Sequence, residues 1–160
     1  MSRDLSVRPA SKSALDSVAS MLRRAGLLAD DVRTAPAQFF VAAVDGEPVG
    51  VSGVELHGNA ALLRSVAVVA DARGSGYGRA LTAAAADHAA ERDAETLYLL
   101  TETAPGYFES LGFRRCTRDD APATIRETTE FAELCPESAV CMRAPTATVL
   151  EAARDGGRTD

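Results

Sequence analysis

Lysine is almost missing from this 160-residue chain. Lys12 is the one lysine, and arginine supplies every other basic side chain. A GC-rich genome produces that bias without selection on function, and a salt-loving host also favours acidic, lysine-poor surfaces; both explanations stay open. Histidine is scarce too: His57 and His88 are too few and too isolated to suggest a metal centre. The three cysteines, Cys116, Cys135 and Cys141, are an odd number without CxxC spacing. That pattern argues against a disulfide framework and against a zinc site, so they read as inert packing thiols and no metal is expected. No apolar run approaches the roughly 20 residues that span a bilayer. The opening "MSRDLSVRPASKS" has no signal-peptide apolar core. The expectation is a soluble cytoplasmic protein with no membrane partner. Acidic residues outnumber basic ones by 23 to 17, for a net charge of −6. A broad basic face for nucleic acid is therefore not expected.

The length fits one domain with a sizeable core, drawn here as residues 1–145, followed by a flexible tail over 146–160. "LSVRPA" (5–10) reads as a first strand. A helix follows, capped by Ser11 or Ser13, carrying Leu15, Val18 and Leu22 at helical spacing and ended by Gly26. "FFVAAV" (39–44) and "PVGVSGVEL" (48–56) flank Asp45-Gly46, a hairpin signal. "HGNA" (57–60) turns the chain into "LLRSVAVV" (62–69), which completes a three-strand antiparallel meander. Residues 76–92 read as an alanine-rich helix with Leu81 and Ala84 or Ala85 on one face. "TLYLLT" (96–101) is a compact strand placed parallel to the last strand of the meander, because a helix lies between them. A short helix "PGYFESLG" (105–112), a strand from "FRRC", a helix over "PATIRETTEFAEL" (122–134) and a strand "SAVCMR" (138–143) complete the order.

Between the meander and the long helix stands "RGSGYG" (73–78). Glycines there do one of two things: they make a tight turn or they cradle phosphate. With "YFESLGF" (107–113) following in the right element order, the chain resembles the GNAT superfamily of acetyl-CoA-dependent N-acetyltransferases, over roughly residues 5 to 143. The resemblance implies an α/β (α+β) fold: a mixed, mostly antiparallel sheet of about six to seven strands flanked by helices, with a parallel pair splayed around acetyl-CoA. It matches the superfamily's pyrophosphate signature to Arg73, Gly74, Ser75, Gly76, Tyr77 and Gly78. Amides at a helix N-terminus lack intrahelical partners and carry partial positive charge, and glycine lets a diphosphate approach them. Arg73, Gly74, Ser75, Gly76, Gly78 and Arg79 are the pyrophosphate candidates. Val66 and Val68 match the positions whose main chain pairs with the pantetheine arm.

"LLRSVAV", "LYLLTETAPGYFESLGFRR" and "IRETTEFAELCPESAVCMR" resemble a narrower group, the arsinothricin N-acetyltransferases, near phosphinothricin acetyltransferases in function. That likeness implies transfer to the α-amine of a small amino-acid-like substrate and a role in toxin resistance. A substrate carboxylate would suit Arg64. The alternative for Arg64 is an edge position or an ion pair with Glu55. Ser65 is a second substrate candidate, although strand alternation would aim it at the opposite face. Glu55 or Glu102 is the candidate proton acceptor for the amine, directly or through water. The superfamily's acid tyrosine falls on Phe108 here, a departure, and Tyr107 beside it is the candidate acid. Two other readings stand beside this one: acetylation of a protein or peptide amine, and a non-catalytic acyl-CoA-binding sensor. A homodimer is common among such enzymes and is the oligomeric expectation.

Overall fold

The structure, a computed structural model, describes residues 5–27, 29, 32–34, 36–69, 72, 74, 76–102, 104–128, 131 and 139–156. Seven strands form one sheet: β1 (Leu5–Pro9), β2 (Ala37–Val44), β3 (Glu47–His57), β4 (Ala60–Val68), β5 (Thr96–Thr101), β6 (Arg114–Cys116) and β7 (Val140–Pro145), in the order β1-β2-β3-β4-β5-β7-β6. Every neighbouring pair is antiparallel except β4 and β5. The helices whose ranges lie among the described residues are α1 (Leu15–Arg24), α2 (Tyr77–Glu91), α3 (Pro105–Glu109), α4 (Ala123–Arg126) and α5 (Thr146–Gly156).

The hairpin expected at Asp45-Gly46 forms with both residues left-handed, φ 52° and 86°, as a twist-matched two-residue turn requires. Helix α1 ends where Gly26 (φ 75°) lets Leu27 N–H reach Leu22 C=O at 2.9 Å. No serine side chain caps α1; Ser11 instead precedes a short 3-10 turn over Lys12–Ala14.

The sheet is covered on both faces. On one, α2 and α5 pack with Leu111 and Phe113 over Phe40, Val54, Leu63, Leu97 and Met142. The alanine run explains how closely α2 approaches. Ala85, Ala86 and Ala89 are fully buried, and Gly50 of β3 has no room for a side chain because Leu81 and the Ala67 carbonyl would each lie 2.8 Å from its Cβ. On the other face, α1 sits on Phe39 and Val51, and Ile125 of α4 sits with Leu62, Tyr98 and Cys141.

Three expectations are corrected. The tail is not loose over 146–156. Thr146 donates its hydroxyl to Ala94 C=O at 2.8 Å, and Val149 and Ala153 are buried one helical turn apart. The helix drawn over 122–134 is interrupted: α4 covers Ala123–Arg126, Glu127 and Thr128 leave the helix as Thr128 Oγ1 turns back to donate to the Ile125 carbonyl at 2.7 Å, and Phe131 is helical again. Residues 129–130 and 132–138, Cys135 among them, lie outside the described residues, as do 157–160. Among the described residues the last strand runs from Val140 to Pro145, so it excludes Ala139 and extends two residues past the expected end at 143; residue 138 lies outside the described residues.

Candidate active site

Strands β4 and β5 pair only over Ala60–Leu62 and Thr96–Tyr98 among the described residues. Beyond that short ladder the walls part. A cleft of about 700 Å³ opens between Leu63–Val68 on one side and Leu99–Glu102 on the other. Gly74, Gly76, Gly78 and Arg79 line one end of it, Tyr107 and Phe108 line it from α3, and Gly26 and Leu27 reach it from the end of α1.

The parting has a local cause in β4. Val51 pairs with Ala67 and Gly53 with Arg64, so Ser52 faces two residues, Ser65 and Val66. Ser65 takes φ 59°, left-handed and uncommon for serine. This is a β-bulge, and it breaks the alternation on which the sequence expectation for Ser65 rested. Arg64 and Ser65 now both line the cleft, and their side chains are bonded: Arg64 Nε donates to Ser65 Oγ at 3.0 Å.

Arg64 is anchored from behind as well. Nη1 donates to Glu55 Oε2 at 2.9 Å, with both side chains essentially inaccessible to solvent. His57 Nε2 lies 3.3 Å from Glu55 Oε1. Phe39 packs below the guanidinium, 5.8 Å from ring centroid to Cζ. Gly53 makes room for this stack, since a Cβ there would meet the Phe39 ring at 2.8 Å. Of the two readings left open for Arg64, the ion pair with Glu55 is the one made. Glu55 sits behind Arg64, outside the cleft lining, whereas Glu102 is exposed and lines the cleft.

Two glycines of the loop carry left-handed backbone. Gly74 and Gly76 have φ of 84° and 82°, and a Cβ on either would meet nothing within 4 Å, so both face open space. Gly76 is the N-cap of α2 and supplies no side-chain bond; the first helical bond is Ala80 N–H to Gly76 C=O at 3.2 Å. The first turn of α2 therefore borders the cleft with no capping side chain on its amides, an arrangement that can receive an anion. Arg79 stands in the same turn. Arg73 and Ser75 lie outside the described residues. Val66 and Val68 line the cleft wall, half-buried against the core.

Tyr107 approaches this loop. Its hydroxyl would lie 2.8 Å from a Cβ on Gly78, so glycine is required there for the ring to fit. The hydroxyls of Tyr107 and Thr82 are both buried, with no hydrogen-bond partner among the described residues. Burial pushes the phenol's pKa up, and the nearby Thr82 hydroxyl and the Arg79 charge pull part of that back. Thr82 was not legible as a site residue, since threonine inside an alanine helix carries no signal. Replacing Thr82 with valine should raise the phenol pKa further, because it removes a group that favours the phenolate. Ultraviolet titration against the parent would show it, and an unchanged or lowered alkaline transition would separate the two hydroxyls. Thermal stability should hold or rise, since an unpaired buried hydroxyl is replaced by a methyl of similar shape.

Phe108, the residue at the superfamily's tyrosine position, is buried and stacks edge-on against Phe113 and Tyr107, at 5.8 and 5.1 Å between centroids. Among residues that the sequence did not single out, Gly26 and Leu27 border the cleft. Leu27 is 41% exposed, a large apolar side chain at the cleft wall. No three-residue His, Cys, Asp and Glu cluster suited to a metal is found among the described residues, and none of their helices is long and apolar enough to cross a membrane.

A family model described as an acetyltransferase (GNAT) domain matches residues 35–115, just over half of the chain. Among solved structures, N-acetylglutamate synthase from Neisseria gonorrhoeae, crystallised with coenzyme A and L-arginine, is similar with a TM-score of 0.72 and 20% identity, covering 88% of this chain. The chain spans 33% of that synthase chain. A GNAT-family acetyltransferase from Staphylococcus aureus Mu50 has a TM-score of 0.71 and 17% identity over 89% of this chain and 99% of its own. The ribosomal-protein-S18-alanine N-acetyltransferase from Escherichia coli has a TM-score of 0.68 and 20% identity over 89% and 94%. At such identities the likeness speaks for the fold alone. No curated protein matches the chain significantly. The matched segment runs from the approach to β2 into β6 and contains the glycine loop, the bulge and the splayed strands, and the chain belongs to the GNAT family of N-acetyltransferases.

Proposed function

We propose that the protein transfers an acetyl group from acetyl-CoA to the amine of a small amino-acid-like substrate, in the chemical class of arsinothricin and phosphinothricin. The observation that carries the reading is the single cleft that joins the glycine-loop end of α2 to the bulged wall of β4. The loop fits the donor's diphosphate: two glycines face open space and the helix N-terminus carries no side-chain cap.

The chain's residues divide the chemistry as follows. The amides of the loop and of the first turn of α2, with Arg79, hold the diphosphate. The main chain of Val66 and Val68 guides the pantetheine arm along β4. Glu102, exposed in the cleft wall, takes the amine proton directly or through water as nitrogen bonds the acetyl carbon and the carbon–sulfur bond breaks. Glu55, with one oxygen on Arg64 and the other beside His57, holds Arg64 in place instead. Ser65 accepts from Arg64, which orients the serine's own O–H to donate to a substrate acceptor such as a carboxylate. Tyr107, a phenol that is protonated at neutral pH and whose pKa burial pushes up further, returns a proton to the departing thiolate.

Coenzyme A release, measured over a panel of free amino acids, arsinothricin, phosphinothricin and amine-terminated peptides, tests the reading. Turnover confined to the small substrates supports it. Turnover confined to peptides would move the protein to the protein-acetylating class, and acetyl-CoA binding without any turnover would leave a sensor module. Tyr107→Phe should lower kcat tenfold or more with little change in coenzyme A affinity. A loss confined to coenzyme A affinity would make the hydroxyl a donor ligand and not an acid.

A further inference from the structure

Outside the cleft, two thiols meet. Cys116 on β6 and Cys141 on β7 are register partners on adjacent antiparallel strands. Their sulfurs are 3.3 Å apart, with the Cys116 S–H directed at Cys141 Sγ. Both are free thiols. Directly opposed residues on antiparallel strands have Cα atoms about 4.5–5.5 Å apart, inside the span a disulfide accepts. Bond formation therefore needs a side-chain rotation and no rearrangement of the sheet. The sequence hides the pair, because 24 residues separate the two cysteines and the odd third thiol suggests leftovers.

We propose that Cys116 and Cys141 form an oxidative modification site, closing a cross-strand disulfide on exposure to a low-molecular-weight disulfide. Cys116 is the entry point, since it is half-buried while Cys141 is 4% exposed. Its thiolate attacks one sulfur of the external disulfide, which breaks that bond, makes a mixed disulfide on Cys116 and releases one small thiol. Cys141, deprotonated in turn, attacks Cys116 Sγ. The protein disulfide forms and the second small thiol leaves. Two protein thiols lose two electrons, the external disulfide gains them, and the two protons end on the released thiols.

The surroundings set the pace. Burial pushes the Cys141 thiol up to about 12 and raises Cys116 as well. Arg143 and Arg114 favour the Cys116 thiolate and Arg118 that of Cys141, while Asp120 opposes both. Tyr98 and Leu100 of β5 share the cluster. The thiolate is therefore scarce at neutral pH, so closure is slow there and quickens as the solution becomes alkaline. The bond would enclose the 3-10 turn Arg118–Asp120 and α4 in a covalent loop, which raises resistance to unfolding by restricting the unfolded chain.

The test uses the full chain and its Cys135→Ser variant, each incubated with excess cystamine at pH 8.5 and analysed by intact mass and peptide mapping. The expected product has lost two hydrogens, carries a Cys116–Cys141 linked peptide in both proteins, melts several degrees higher than the reduced form, and reverts with dithiothreitol. Cys116→Ser and Cys141→Ala should stop at a mixed disulfide or remain unmodified. A bond that uses Cys135 in the parent, persistent mixed disulfide at Cys116, or no reaction in the folded protein would each overturn the assignment. Folding of the variants is read separately by circular dichroism, so a misfolded Cys141→Ala leaves the Cys135→Ser result to decide.

Discussion

Gly76→Asp should weaken coenzyme A binding by a hundredfold or more, about 3 kcal/mol, while the protein remains folded. Three effects act together at this position. Gly76 is the N-cap of α2 and faces open space, so the new side chain projects into the volume assigned to the diphosphate. Its carboxylate brings negative charge to the place where helix-terminal amides would receive another anion. It also serves as an N-cap, bonding the first-turn amides that the ligand needs. Only the φ of 82° opposes folding, at a cost of about 1–2 kcal/mol for a residue with a Cβ, and aspartate bears that conformation better than most. Gly76→Ala separates strain from charge: it carries the same backbone penalty without the carboxylate, and its binding loss should be several-fold smaller. Titration calorimetry with coenzyme A decides the matter. An unchanged Kd in a folded Gly76→Asp protein would remove the loop from the binding site.

Much of the backbone around this cleft is legible in the sequence, and the reason lies in the glycines. Gly74 and Gly76 require left-handed backbone, and that requirement is written in residue identity. The meander, the parallel strand after α2 and the helix opened by Pro105 follow from short-range signals of the same sort: Asp45-Gly46, the alanine run, and proline before an aromatic pair. What the sequence did not carry is long-range. The left-handed Ser65 has no glycine to announce it, so period-two alternation sent its side chain to the wrong face. The Arg64–Glu55 contact was an open alternative until the bulge fixed where Arg64 points. Helix α5 was hidden by the polar end "RDGGRTD", which masked the spacing of Val149 and Ala153. The Cys116–Cys141 contact depends on strand register, which no local pattern encodes.

Register and burial also change what Arg64 can be expected to do. A guanidinium with no solvent exposure, bonded to Glu55 and to Ser65 Oγ, braces the bulge from inside the sheet. Arg64→Leu leaves the Glu55 carboxylate buried without its cation, a situation that costs about 3–5 kcal/mol. The variant should therefore unfold at markedly lower denaturant concentration. Replacing both partners, Glu55→Leu with Arg64→Leu, should recover part of the loss, because no buried charge is then stranded. Activity adds an independent readout. With Arg64 gone, Ser65 loses the donor that orients its hydroxyl, and kcat/KM should fall for every amine substrate by a similar factor, roughly tenfold. A direct carboxylate clamp predicts otherwise: free amino acids would lose about 10- to 150-fold while their amides lose little, since a charge-assisted bond is worth about 1.5–3 kcal/mol. Paired measurements on free and amidated substrates, with stability from urea titration of the single and double variants, separate the two. Equal deficits with a destabilised fold place Arg64 as the brace of the bulge. A deficit confined to free amino acids in a protein of parental stability would place it on the substrate.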